Sequence, residues 1–63
     1  MNIPERIKQA RTEAGLTQQK LAELCHVTTR TVQRWETGDR LVATESLRIV
    51  AKTLRLPLED LIP

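Results

Sequence analysis

The feature that most constrains the fold is a short interruption, residues 26–28 (HVT), between two segments with helical patterning. Leu21 and Cys25 lie four positions apart before it, a spacing that places them on one helix face. Val32 and Trp35 lie three apart after it and form a second such face. So short a turn does not fit two helices that lie side by side as a long helical hairpin. The sequence therefore predicts two packed neighbouring helices at a steep angle.

The segment after this turn combines a hydrophobic face with a polar one. Thr28 is suited to cap a helix at its N-terminus, and Gly38 can end it in a left-handed conformation. Val32 and Trp35 anchor the helix, and no acid occurs before Glu36. Such a helix is suited to approach an anionic partner. Its remaining outer positions carry polar or basic side chains: Thr29, Arg30, Gln33 and Arg34.

The rest of the chain also has helical patterning. Asn2 is a good cap for a first helix that begins near residue 3 and stops at Gly15. Thr17 caps the second helix, a fourth begins at Thr44, and a short fifth begins at Pro57. No stretch alternates like a strand and no repeat is visible, so the predicted fold is all-α. The predicted inner face of the first helix comprises Ile3, Ile7, Ala10 and Ala14.

Composition excludes several classes of protein. The 63 residues include one cysteine and one histidine, Cys25 and His26, which is too few for a zinc site or an intramolecular disulfide. A small buried hydrophobe is the expected role of Cys25, with a reactive thiol as the alternative. We expect no metal, cofactor or small-molecule ligand. An enzyme is the least expected class, because no Gly-rich phosphate loop or paired buried carboxylates are evident.

Charge and hydropathy narrow the choice of partner further. The net charge of +2 is weak support for nucleic-acid binding by itself. The sequence has no Tyr or Phe, which disfavours a surface that stacks single-stranded bases. No run of about 18 apolar residues and no signal-peptide stretch occur, so we expect a cytoplasmic protein without membrane contact.

The motif across residues 16–38, LTQQKLAELCHVTTRTVQRWETG, resembles the Cro/repressor-type (XRE-type, lambda-repressor-like) helix-turn-helix family. The resemblance continues through LRIVAKTLRLPLEDLI and covers nearly the whole chain. It implies a compact five-helix domain over residues 1–63, with the helix-turn-helix at about 17–37 and helix 3, about 29–36, in the DNA major groove. The residues that carry it are Gln18, Leu21, Ala22, Val27, Thr28, Val32, Trp35, Glu36 and Gly38.

The resemblance also implies roles for individual residues, although a merely solvated helix face is the alternative for the outer residues of helix 3. Side chains expected to read bases are Thr29, Arg30, Gln33 and Arg34. Side chains expected to contact phosphates are Gln18, Thr28, Thr37 and Arg40. Arg11 is expected to form a structural ion pair with Glu36; two independent surface charges are the alternative.

The chain departs from the family pattern at two turns, where His26 and Arg55 replace the usual glycines. The function implied is a sequence-specific double-stranded DNA-binding transcriptional regulator of a prokaryote or phage, with repression favoured. The alternative is a protein-interaction module or antitoxin-like partner that retains the fold. A chain this short is expected either to dimerise weakly or to be a fragment of a longer regulator. A homodimer contact is expected at Leu58, Leu61, Ile62 and the loop before helix 4.

Overall fold

The computed structural model describes residues 2–38 and 42–61, and the elements within them are helical. They are α1 (Ile3–Glu13), α2 (Gln18–Cys25), α3 (Thr29–Thr37) and α4 (Thr44–Leu54), followed by a 3-10 helix at Leu58–Asp60. Helix α3 packs against both α1 and α2, and α4 packs against α1, α2 and the 3-10 helix. Within these two ranges there is no strand, as the sequence predicts.

The predicted fifth α-helix is wrong, because the segment forms only a single turn of 3-10 helix. Its hydrogen bonds, from the Asp60 amide to the Pro57 carbonyl and from the Leu61 amide to the Leu58 carbonyl, join residues three apart. Pro57 makes no side-chain cap bond. So short a segment cannot offset the cost of nucleating an α-helix, and its conformation follows from how it packs on the core.

The predicted dimer contact is also wrong for part of this segment. Leu61 is 1% exposed and belongs to the core of its own chain. Leu58 and Val42, from the loop before α4, are partly buried and pack against that core. Leu61 is therefore unavailable to a second copy, because burying it within the chain already removes its apolar surface from water. Ile62, like residues 39–41 of the loop, lies outside the described residues.

The starts of the first three helices are determined locally by side-chain caps. Asn2, Thr17 and Thr28 each accept a hydrogen bond from the backbone amide three residues later, at 2.9, 3.0 and 3.2 Å. These bonds satisfy donors that have no partner within the helix. The caps predicted from the sequence are confirmed, and they fix where α3 begins.

The core is formed by the inner faces of all four α-helices. Val32 and Trp35 are buried, so the inner face of α3 is the one predicted. Ala14 is exposed and follows the last residue of α1, so its predicted place on the inner face of that helix is wrong. The chain leaves the helix direction there, with Gly15 at φ +74°. The buried hydrophobic residues are Ile7, Ala10, Leu21, Ala22, Cys25, Val32, Trp35, Leu47, Val50, Ala51 and Leu61.

A buried ion pair joins α1 to the C-terminal part of α3. The Arg11 Nε lies 2.6 Å from the Glu36 Oε2, and the Arg11 Nη2 donates to the Glu36 Oε1 at 3.2 Å. The third guanidinium nitrogen, Nη1, donates to the Leu16 carbonyl at 2.7 Å. The two charged side chains are only 10% and 3% exposed. The predicted pair is thus bidentate, and the guanidinium also fixes the chain as it turns from α1 towards α2.

Two helices end in residues that adopt a left-handed backbone without being glycine. His26 has φ 58° and ψ 43°, and Arg55 has φ 57° and ψ 43°. In each case the next residue's amide donates back to a carbonyl in the last helical turn, at 2.9 Å for Val27 and 2.8 Å for Leu56. These bonds complete the helix ends, but the conformation costs a non-glycine residue about 1–2 kcal/mol.

Glycine at these turns is expected to maintain or increase stability. His26→Gly and Arg55→Gly should each change the free energy of unfolding by about 0 to +1 kcal/mol, since relief of backbone strain exceeds the added entropy of the unfolded chain. Urea denaturation measures the effect, and His26→Ala serves as a control that keeps the strain. A clear loss of melting temperature in both glycine variants would contradict this account of the turns.

Substituting one partner of the buried ion pair should lower the free energy of unfolding much more than substituting both partners with apolar residues. Glu36→Gln or Arg11→Met alone should lower the free energy of unfolding by about 3–5 kcal/mol, because each single change leaves a buried partner unsatisfied. The double variant Arg11→Met, Glu36→Leu should recover a large part of that loss. Chemical denaturation of all three gives the coupling energy. Additive losses would show that the two side chains act independently.

Candidate nucleic-acid interface

The outward face of α3 forms a polar groove with a volume of about 240 Å³. Because its lining residues recur at helical spacing, they share the face opposite Val32 and Trp35. Among the described residues no acidic side chain lines it, and its two guanidinium groups give this lining a positive charge. The Thr37 hydroxyl donates to the Arg34 carbonyl at 3.4 Å, so this threonine lies on the same face. The lining residues are Arg30, Gln33, Arg34 and Thr37.

Two predicted site residues, Thr28 and Thr29, lie at the start of α3 and do not line that groove. Thr29 is half-buried and does not line the groove, although it is the first residue of the helix. The hydroxyl of Thr28 caps α3 and lies 3.0 Å from the hydroxyl of Thr31. The sequence analysis did not include Thr31 in the site. Its position three residues after the cap could have indicated that its hydroxyl lies near that of Thr28. The two hydroxyls form one small polar cluster.

Gln18 is held at the N-terminus of α2 by the ion pair described above. Its Nε2 donates to the Glu36 Oε1 at 3.1 Å, and the same oxygen accepts from Arg11. One N–H of the amide and its carbonyl oxygen remain for another partner. The sequence did not predict this contact, because the two residues are 18 positions apart and no spacing rule links them. Glu36 therefore orients Gln18 as well as pairing with Arg11.

The N-termini of α2 and α3 are electrostatically unlike those of the other helices. The first turns of α1 and α4 contain acids, Glu5 and Glu45, whereas the first turns of α2 and α3 contain none. A carboxylate there would neutralise the partial positive charge of the helix terminus and compete with a bound anion. At both termini of the helix-turn-helix, therefore, no first-turn carboxylate offsets the partial positive charge of the helix.

Lys20, a basic residue of α2, is exposed and lies 3.7 Å from Glu23 in a weak ion pair. Arg40, a predicted phosphate contact, lies outside the described residues. Among the described residues, the cationic character of the site rests mainly on Arg30 and Arg34.

Cys25 has a structural environment. Its thiol is buried, with Sγ 3.6 Å from the Thr53 hydroxyl, and burial raises the pKa of this thiol. A raised pKa keeps the thiol protonated and unreactive at neutral pH. No group of His, Cys, Asp and Glu in the described part of the chain could hold a metal ion. No helix there is long and apolar enough to cross a membrane.

Comparison with known sequences identifies a family match and a characterised relative. The helix-turn-helix family matches residues 7–61. The chain is 32% identical over 62 residues to the HTH-type transcriptional activator BcrR of Enterococcus faecalis. That likeness covers 98% of this chain and 30% of BcrR, so the chain spans less than a third of its relative's length.

Solved structures share the fold. The restriction-modification controller protein C.AhdI from Aeromonas hydrophila has a TM-score of 0.88 at 28% identity, over 95% of this chain and 87% of C.AhdI. The clp gene regulator ClgR from C. glutamicum has a TM-score of 0.87 at 25% identity, over 95% of this chain and 78% of ClgR. By this sequence match and these structural likenesses, the chain belongs to the Cro/repressor-type (XRE-type) helix-turn-helix family.

Proposed function

We propose that residues 1–63 form one DNA-binding domain of a transcriptional regulator, which inserts α3 into the major groove of a specific duplex. The observation that carries this proposal is the cationic groove on the outer face of α3, whose described lining residues include no acid. The width of the B-DNA major groove admits one helix, and its base edges present a distinct pattern for each base pair. The regulators BcrR, C.AhdI and ClgR support the same class of function.

Base reading is assigned to the polar side chains of α3. Arg30 and Arg34 lie four apart, and each can donate two parallel hydrogen bonds to the O6 and N7 of guanine. Gln33, between them, can bond adenine in the same bidentate way. Thr29, in the first turn, has a hydroxyl and a methyl that suit a base edge or a thymine methyl.

Phosphate contacts are assigned to the termini of α2 and α3. Gln18 offers its remaining amide N–H beside the free backbone amides of the first turn of α2. Thr28 offers the N-terminus of α3, while Thr37 and Arg40 are assigned to the phosphates beyond its other end. Such contacts fix the position of α3 in the groove without reading sequence.

The regulatory effect follows from where the protein binds. We propose repression by the domain alone, since occupancy of a promoter by a bound domain excludes other proteins. BcrR is named an activator, and its additional length provides regions that this chain does not match. We propose further that two copies bind half-sites about 34 Å apart, so that both α3 helices enter the same side of the duplex.

The reading residues can be tested by selecting bound sites from a random duplex library. Arg30→Ala and Arg34→Ala should each remove the preference for one guanine, at a cost of about 1–3 kcal/mol for the preferred site. Arg48→Ala, an exposed arginine of α4, is the matched control and should leave the selected sequence unchanged. Binding to the preferred site should weaken steeply as salt rises. Failure of the protein to bind duplex at low salt would overturn the proposed function.

Gln18 should contribute affinity but not specificity. Gln18→Ala should weaken binding to preferred and random duplex alike by about tenfold, the loss expected for a hydrogen bond to a charged phosphate. The salt dependence should stay unchanged, because no charge is removed. Gln19→Ala, the exposed neighbour, should bind like the parent. A changed site preference in the Gln18 variant would show that this side chain reads bases.

A further inference from the structure

A second open groove, with a volume of about 820 Å³, lies between α2 and α4. We call it the α2–α4 groove. Its apolar side chains include Leu24 and Ile49, which are 46% and 40% exposed and are the exposed large hydrophobic residues of the described ranges. Val27 adds partly buried apolar surface between them along the lining. Two such side chains in one concavity differ from scattered exposed leucines, which need no explanation.

The edge of the α2–α4 groove is cationic. Lys52, from the last turn of α4, and Arg55, which directly follows that helix, are both exposed and line it together with His26; no acid among the described residues does. Glu23 does not line the groove, and its carboxylate lies 3.7 Å from the ammonium of Lys20, one turn earlier on α2. The lining of the groove therefore combines apolar side chains with two basic ones and, among the described residues, no acidic one. That combination complements a segment that is apolar on one face and acidic at its margins.

The α2–α4 groove shares no lining residue with the groove of α3. It is built from the C-terminal end of α2, whereas Gln18 lies at the opposite end of that helix, about 10 Å away at the helical rise. A ligand in the α2–α4 groove would therefore leave the lining of the α3 groove free. The two surfaces can be occupied at the same time.

We propose that the α2–α4 groove is the docking site for an acidic amphipathic helix of a partner protein. Apolar side chains of that helix, repeated every three or four residues, pack on Leu24, Val27 and Ile49. Its Asp or Glu residues pair with Lys52 and Arg55. The small area predicts a transient complex with a Kd of about 10–100 µM.

The cationic edge argues against a second copy as the occupant. A symmetric dimer uses the same patch on both subunits, so Lys52 and Arg55 of each copy would surround one small groove. Like charges brought together in this way oppose association. The same two residues instead attract an acidic partner, so the charge of the groove favours an acidic partner over a second copy.

The test titrates the isotope-labelled protein with synthetic helical peptides of about four turns, followed by amide chemical shifts. The first peptide carries Leu at helical spacing flanked by Glu. One control peptide has Lys in place of each Glu, and another has Ser in place of each Leu. The first peptide should shift the amides of Leu24, Val27, Ile49 and Lys52, and both controls should bind at least about tenfold more weakly.

Variants of the protein provide the second arm. Lys52→Glu should weaken binding of the Glu peptide by about tenfold and strengthen binding of the Lys peptide. Loss of folding cannot produce such a reversal of preference. Leu24→Ser with Ile49→Ser should abolish binding of the Glu peptide. Lys8→Glu, an exposed charge change on α1, is the matched control and should have no effect on peptide binding. Affinity of the double Ser variant for random DNA duplex should stay within about twofold of the parent.

Several outcomes would overturn the proposal. Shifts centred on Arg30 and Arg34 would show that the peptide binds the α3 groove merely as a polyanion. Equal binding of the Lys and Glu peptides would remove the charge argument. A dimer in sedimentation equilibrium that disappears in the double Ser variant would identify a second copy as the occupant. Binding to phosphatidylglycerol vesicles through Leu24 and Ile49, with no binding of the Glu peptide, would identify a lipid surface instead.

Discussion

The Arg11 guanidinium joins three parts of the chain that lie far apart in sequence. Through Glu36 it connects α1 to the end of α3, and through the Leu16 carbonyl it fixes the approach to α2. Glu36 in turn holds the Gln18 amide. In a domain of this size the core alone supplies limited stability, so a buried and fully hydrogen-bonded pair also determines geometry. The relative positions of the two helix N-termini that would meet DNA therefore depend on this pair.

Helix α3 separates two roles between its faces. Val32 and Trp35 bury one face, and this burial holds the helix without using its polar side chains. Arg30, Gln33 and Arg34 are then left on the opposite face, where they share a groove that no acid of residues 2–38 and 42–61 lines. Glu36, the acid that would reduce the charge of this surface, is withdrawn into the ion pair. Stability and proposed DNA recognition thus draw on different side chains of one short helix.

The helix-turn-helix and the α2–α4 groove meet at the strained turn after α2. His26 adopts the left-handed conformation that ends α2, and the chain continues into Val27, which lines that groove. Helix α2 therefore carries the proposed phosphate contact at its N-terminus and the proposed partner site at its C-terminus. Because these two proposed sites lie at opposite ends of one helix, we expect a partner in the α2–α4 groove to have a fixed orientation relative to a phosphate bound at Gln18.

Much of this structure was determined by local sequence. The bounds of α2 and the caps at Asn2, Thr17 and Thr28 were predictable, because each depends on neighbouring residues. The left-handed turns at His26 and Arg55 follow from the resemblance to a family in which glycine is usual there, and not from the local residues. The inner face of α3 followed from its 3.6-residue period. Tertiary structure decided what depends on distant segments: Leu61 joins the core instead of a dimer surface, the last segment is only a 3-10 turn, and Gln18 bonds to Glu36. Tertiary structure also decided that Leu24 and Ile49 are exposed in one groove. Periodicity shows which residues share a helix face, but not which other segment covers that face.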